Sequence, residues 1–360
     1  MPPIPHVDVR AQYAPLIPEL KDAFARVLDS GRFIFGPEVE AFEREAAEYL
    51  GVEEAIGVAN GTDALVITLD ALGIGDGDEV ICPAFTFFAT AEAIARRNAV
   101  PVFADVDPQT LNLDPVDVER RITSRTKAIV PVHLFGRPAP MHALRRFDLP
   151  LLEDAAQAFG SPGIATSIAS TFSFFPTKNL FGLGDGGLIT ANDAALGERV
   201  RMLRFHGSRA KKDFELIGYN SRLDAIQAAA LRIFLRRLEH WTQQRREAAA
   251  RYAAFGLGEF VELPADEPGH VYHMYCVRSP ERDRLSQALA EAEIGHQSYY
   301  RPPLHLQPAF RYLGHAEGDL PATERASREN LCLPLWAGIA EEQQAEVVAV
   351  LRRAATLVAA

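Results

Sequence analysis

The chain has little lysine and little cysteine. Only five of its 37 basic residues are lysines, namely Lys21, Lys127, Lys178, Lys211 and Lys212. Its three cysteines, Cys82, Cys276 and Cys332, stand far apart with no CxxC pair. That excludes a thiolate metal motif and a disulfide-dense scaffold. It predicts free thiols serving as small core residues in a reduced, cytoplasmic protein. No apolar run approaches the roughly 20 residues of a membrane-spanning helix. The opening MPPIPHVDVR has neither the basic start nor the apolar stretch of a signal peptide. Positive charge is scarce as well: 37 Lys plus Arg face 48 Asp plus Glu, a net charge of −11, which argues against nucleic acid as a partner. His270/His273 and His305/His315 lack further ligands at zinc spacing, so no metal site is expected.

What remains is globular. The 360 residues are 48% hydrophobic and 24% charged, with room for two domains. Short apolar runs alternate with stretches of helical spacing. The runs are Ala55–Ala59, Glu79–Cys82, Val100–Ala104, Lys127–Val132 and Pro150–Leu152. The helical stretches are Ala64–Leu72, Phe88–Arg97, Pro115–Ile122 and Met141–Phe147. This pattern predicts an α/β fold with a mostly parallel sheet and helices on both faces. Two helices, Ile17–Leu28 and Pro37–Leu50, precede it, and one uninterrupted helix is expected over Arg222–Phe255. The last hundred residues read strand Val271–Val277, helix Arg282–Ala292, strand Ile294–Ser298, a Pro-rich loop Arg301–Pro308 and two helices, a smaller α+β unit. The expected division is a large domain over 1–245 and a small one over 246–360, with the N-terminal segment packed on the latter.

Lys178 stands in Phe172-Ser-Phe-Phe-Pro-Thr-Lys-Asn-Leu-Phe181. An apolar setting lowers an amine's pKa, which a Schiff-base lysine requires to be a nucleophile at neutral pH. A lysine snorkelling from a strand end would look the same. Three further segments bear on the choice. Glu153-Asp154 ends an apolar strand, where ligands sit in α/β sheets; an Asp there can hold a pyridine nitrogen protonated or simply cap a helix. Asn60-Gly61-Thr62-Asp63 opens a helix and can cradle a phosphate, or be a plain N-cap. Phe87, in Pro83–Thr90, can stack on a flat ring, or pack in a core. Together they are the parts of a pyridoxal-phosphate site.

Seven ordered blocks carry a resemblance that runs nearly end to end: Ser30–Glu43, Asn60–Leu65, Pro83–Thr90, Glu153–Gly160, Phe172–Asn179, Gly218–Ala229 and Pro303–Phe310. The chain resembles the DegT/DnrJ/EryC1/StrS family of nucleotide-sugar aminotransferases. The resemblance implies pyridoxal 5′-phosphate, the aspartate-aminotransferase-like fold type I, and a homodimer with active sites at its interface. It makes Lys178 the internal-aldimine lysine and the proton-moving base. Asp154 becomes the partner of the pyridinium nitrogen, and Gln157 the partner of the ring hydroxyl. Phe87 becomes the ring-stacking residue. Gly61, Thr62, Asp63 and Ser173 would hold the phosphate, joined by Asn220 from the other subunit.

The implied reaction moves an amino group from L-glutamate to a keto carbon, C3 or C4, of a nucleotide-linked sugar or deoxysugar, in the biosynthesis of polysaccharides or glycosylated metabolites. A catalytically silent cofactor-binding regulatory or scaffold protein of the same fold is the alternative. The family's histidine-bearing dehydratase branch is set aside because residue 178 is lysine.

Two departures stand out. The stretch from Gly160 to Ser173 is shorter than in the family, and Tyr299-Tyr300-Arg301-Pro302-Pro303 replaces the usual Tyr-Pro before Leu304-His305. That region lies near the sugar in the family. His305 and Tyr300 are the candidate substrate contacts, with a structural role equally open to His305. Gly182–Gly187 spells GxGxxG but runs into a strand, not a helix, so it is not read as a dinucleotide motif. Arg209, Lys211 and Lys212 read as a solvated basic loop or as a contact for the nucleotide diphosphate.

Overall fold

Apolar runs that must bury both faces become strands only beneath helices, and the architecture follows from this. The computed structural model describes residues 2–356. Seven strands, β1 (Glu54–Val58), β2 (Glu79–Pro83), β3 (Val100–Ala104), β4 (Thr126–Ile129), β5 (Leu152–Asp154), β6 (Ala169–Ser173) and β7 (Gly187–Ala191), form two groups ordered β1-β7-β6-β5 and β3-β2-β4. Parallel bridges Ile129–Leu151 and Val132–Asp154 join the groups. β7 runs antiparallel to β1 and β6, and the other paired strands are parallel.

Alternation along the strands assigns their side chains to two cores. On one face, Phe172 and Leu188 pack with Phe42 of helix Pro37–Leu50, with helix Ile17–Ser30 and with helix Ala225–Leu235. On the other, Ala169 and Ala191 meet Leu65, Val66 and Leu69 of helix Gly61–Ala71 and Ile94 of helix Phe88–Arg96. The helix Pro37–Leu50 begins at proline and ends at left-handed Gly51, as its sequence predicts.

The structure corrects three expectations. The helix predicted over Arg222–Phe255 is two helices, Ala225–Leu235 and Leu238–Ala254. The first packs in the sheet's core and the second reaches the C-terminal core. The tertiary structure breaks the helix at Arg236–Arg237 with no help from Pro or Gly. In the C-terminal unit the predicted strand Ile294–Ser298 makes only single bridges, Ile4–Ile294 and Gln297–Cys332. The sheet there is instead β8 (Tyr275–Arg278) paired antiparallel with β9 (Asn330–Leu333), a four-residue strand too short to show a period. That same register sets Cys276 opposite Cys332, with Cα atoms 4.0 Å apart, and the two form a disulfide across 56 residues of sequence. Only Cys82 stays a free, buried thiol. Spacing in sequence hid a pairing that strand register created.

Candidate active site

Four chain segments deliver the site, each at the end of a strand. β5 ends in Asp154, which is buried. Its Oδ2 accepts the Thr90 hydroxyl at 2.8 Å, and its Oδ1 accepts the Ala156 N–H at 3.2 Å. Burial raises this carboxyl above the ordinary range, against the opposing pull of Thr90, the Ala156 amide and the Lys178 charge.

Lys178 sits five residues past β6, in a turn closed by its N–H to the Phe175 carbonyl at 2.8 Å. Burial pulls its amine down to about 8, although the Asp154 charge works to keep it protonated. The phenylalanines around it divide. Phe172, Phe174 and Phe181 are buried, and Phe175 is 51% exposed. The aromatic segment thus anchors the loop in the core and leaves the amine buried beside Asp154.

The turn expected to hold phosphate opens the helix Gly61–Ala71. Asn60 caps it, accepting the Asp63 N–H on its Oδ1 at 2.8 Å, and the Asn60 carbonyl accepts the Ala64 N–H. The Gly61 and Thr62 N–H groups find no acceptor among the described residues and lie at the positive end of the helix. A Cβ on Gly61 would lie 2.7 Å from the Ser173 Cβ. Only glycine permits this approach, which brings the Ser173 hydroxyl beside the turn. Two free amides and a hydroxyl at a helix N-terminus are a donor set for a phosphate.

Phe87 precedes helix Phe88–Arg96 and is 58% exposed, its ring 6.4 Å from that of Tyr300. Gln157 is buried; its Oε1 accepts the Phe135 N–H at 2.8 Å and its Nε2 donates to the Tyr300 hydroxyl at 3.1 Å. The residues present therefore fit pyridoxal 5′-phosphate. They offer a phosphate cradle, an open ring face, a carboxylate, an amide donor and an amine.

Other residues fall elsewhere. Asn220 is exposed and accepts from Arg222; it makes no hydrogen bond with the Lys178 site of its own chain. His305 is buried, and its Nε2 lies 3.2 Å from Glu324 Oε1. Tyr300, from the atypical segment, lies in the site wall against Phe85, Phe87 and Phe135. In the basic loop, Arg209 pairs with Glu198 and Glu215, and the Lys211 amine lies over the Phe205 ring.

Sequence reasoning missed the supports. Thr90 lies inside a quoted motif, but nothing in the motif says that its hydroxyl reaches Asp154. Glu153 is fully buried and accepts from His133 Nε2 at 2.9 Å and from the Ala165, Thr166 and Ser167 amides. Burial would raise its carboxyl, yet these donors hold it at about 2. The Ala139 N–H donates to His133 Nδ1 at 2.9 Å, so the proton of this imidazole belongs on Nε2. The Gly160–Ser173 stretch is thereby tied to Glu153. Among the described residues no helix is long and apolar enough to cross a membrane.

A family model described as the DegT/DnrJ/EryC1/StrS aminotransferase family matches residues 16–352. The chain is 46% identical to a pleiotropic regulatory protein of Geobacillus stearothermophilus, over 96% of each chain. It is 43% identical to dTDP-3-amino-3,4,6-trideoxy-alpha-D-glucose transaminase of Streptomyces venezuelae, over 98% of this chain and 96% of that one. The crystal structure of S. venezuelae DesV in complex with a ketimine intermediate superposes with a TM-score of 0.95 at 42% identity, covering 99% of both chains. That of ntda from Bacillus subtilis, with bound cofactor PMP, gives 0.88 at 31% identity, covering 93% of this chain and 82% of that one.

Proposed function

The chain belongs to the DegT/DnrJ/EryC1/StrS aminotransferase family, and from that premise we propose that it moves the amino group of L-glutamate to the C3 keto carbon of a nucleotide-linked deoxysugar. It is a nucleotide-sugar aminotransferase that uses pyridoxal phosphate. Position 3 is preferred over 4 because the Streptomyces relative is named for a 3-amino product. The observation that carries the reading is Lys178, an amine lowered to about 8 and within the field of buried Asp154.

The bound cofactor supplies an electron sink that lets a C–H bond beside nitrogen break. The chain supplies the rest. Lys178 Nζ, in its free form, is the nucleophile. With the cofactor held there, the same Nζ would be the base that moves the proton at the donor's amine-bearing carbon, and it would serve the sugar's carbon in the reverse half. Asp154 holds the proton on the ring nitrogen, with Thr90 and the Ala156 amide fixing its two oxygens. Gln157 donates to the ring oxygen, Phe87 covers a ring face, and Gly61, Thr62 and Ser173 bind the phosphate.

Asn220 of a second copy completes that phosphate site. Exposed apolar side chains near it along the chain support dimerisation: Ile217 is 95% exposed and Phe214 61%. The name of the Geobacillus relative raises the silent regulatory reading. A complete Lys178–Asp154–Gln157 set speaks against it, since a silent protein needs no base. The deciding test is a single-turnover assay of the reconstituted protein. Formation of 2-oxoglutarate from glutamate supports the aminotransferase, and NMR of the aminated nucleotide sugar then reads the carbon. No keto acid, or unchanged turnover in Lys178→Ala, overturns the reading.

A further inference from the structure

The Gln157 amide cannot flip. Its Oε1 must face the Phe135 N–H, which can only donate, so Nε2 is committed to the other side. One Nε2 hydrogen goes to the Tyr300 oxygen at 3.1 Å; the second is left for the site. The acceptor is itself clamped. The Tyr300 ring lies nearly parallel to Phe135, 8° between planes at 6.4 Å, and edge-on to Phe85 at 5.8 Å. The Tyr300 carbonyl accepts the Ser327 hydroxyl at 2.6 Å. Burial pushes the phenol above its ordinary pKa, so it stays protonated. Packing alone would be served equally by phenylalanine.

We propose that Tyr300 is a positioning residue for the cofactor: its hydroxyl takes one hydrogen of the Gln157 amide and thereby aims the other at the ring oxygen of pyridoxal phosphate. This rests on the reading of the site as a pyridoxal-phosphate site. A hydrogen bond donated to that oxygen weakens it as an acceptor for the neighbouring proton on the Lys178 nitrogen. Removing the bond strengthens it and holds that proton to higher pH.

The test is a pH titration of the visible absorbance of the pyridoxal-phosphate-loaded protein for wild type, Tyr300→Phe, Gln157→Leu and the double variant, with Tyr299→Phe as control. Tyr300→Phe and Gln157→Leu should each move the midpoint upward by about one pH unit. The double variant should move no further than Gln157→Leu alone, because the tyrosine acts through the amide. Tyr299→Phe should titrate as wild type. A wild-type midpoint in Tyr300→Phe, or shifts that add in the double variant, overturns the proposal. Should Gln157→Leu not fold, Tyr300→Phe against Tyr299→Phe decides alone, since both keep their rings. A wild type that shows no visible band with added cofactor overturns the cofactor reading itself.

Discussion

The backbone of Gly61 lies so close to Ser173 that a methyl group on the glycine would stand 2.7 Å from the serine Cβ. The helix start and the end of β6 are thereby held together as the proposed phosphate cradle. Gly61→Ala must push the two apart. It should weaken pyridoxal-phosphate binding by about tenfold or more while leaving helix content unchanged. Equilibrium titration of the visible band and circular dichroism check the two halves.

The lowered Lys178 amine sets a pH dependence. The free base is the form that reacts, so capture of pyridoxal phosphate by the apo-protein should slow as pH falls below about 8 and level off above it. Stopped-flow absorbance reads the rate. Lys178→Arg should show no covalent capture at any pH, because a guanidinium stays protonated, and Lys178→Ala should lose about a thousandfold or more in turnover.

Glu153 makes a prediction about stability. Its folded carboxyl sits at about 2 against an ordinary 4.5. A depressed acid stabilises the fold above its unfolded value and loses that contribution as pH falls through the folded one. Between 4.5 and about 2 the loss is about 3 kcal/mol. Urea unfolding over that range should show a flatter acid limb in Glu153→Gln, whose stability at neutral pH is already lower.

Asn220 tests the dimer. Asn220→Ala should weaken pyridoxal-phosphate binding about tenfold without altering the light-scattering mass, because among the described residues its side chain hydrogen-bonds only to Arg222. A charge at the exposed apolar Ile217, Ile217→Asp, should instead lower the mass toward that of a monomer and weaken cofactor binding with it.

How much was legible depended on how local the cause was. The Pro37–Leu50 helix carries its own start and stop, and the phosphate turn carries its cap, Asn60, three residues from the amide it satisfies. The division of Arg222–Phe255 was not legible, because two cores separated by the fold pull on its halves. Nor was the Cys276–Cys332 pair, which exists only because β8 and β9 align. For His305 the motif left a substrate contact and a structural role equally open, because it shows a residue's type and spacing, while Glu324 is brought to it by the fold.

The sequence by itself determined the chemistry. A lysine in a chain that uses arginine for 32 of its 37 basic residues, an aspartate at a strand end and a glycine at a helix start each offer what only that residue's chemistry gives: an amine that can lose its proton, a carboxylate, the absence of a Cβ. The tertiary structure alone decided the tuning. Burial, with Asp154 beside it, sets the Lys178 amine near 8. Thr90 orients Asp154 across 64 residues and Tyr300 orients Gln157 across 143. Desolvation and hydrogen-bond direction depend on which atoms surround a group, and those atoms come from segments that only the folded chain brings together.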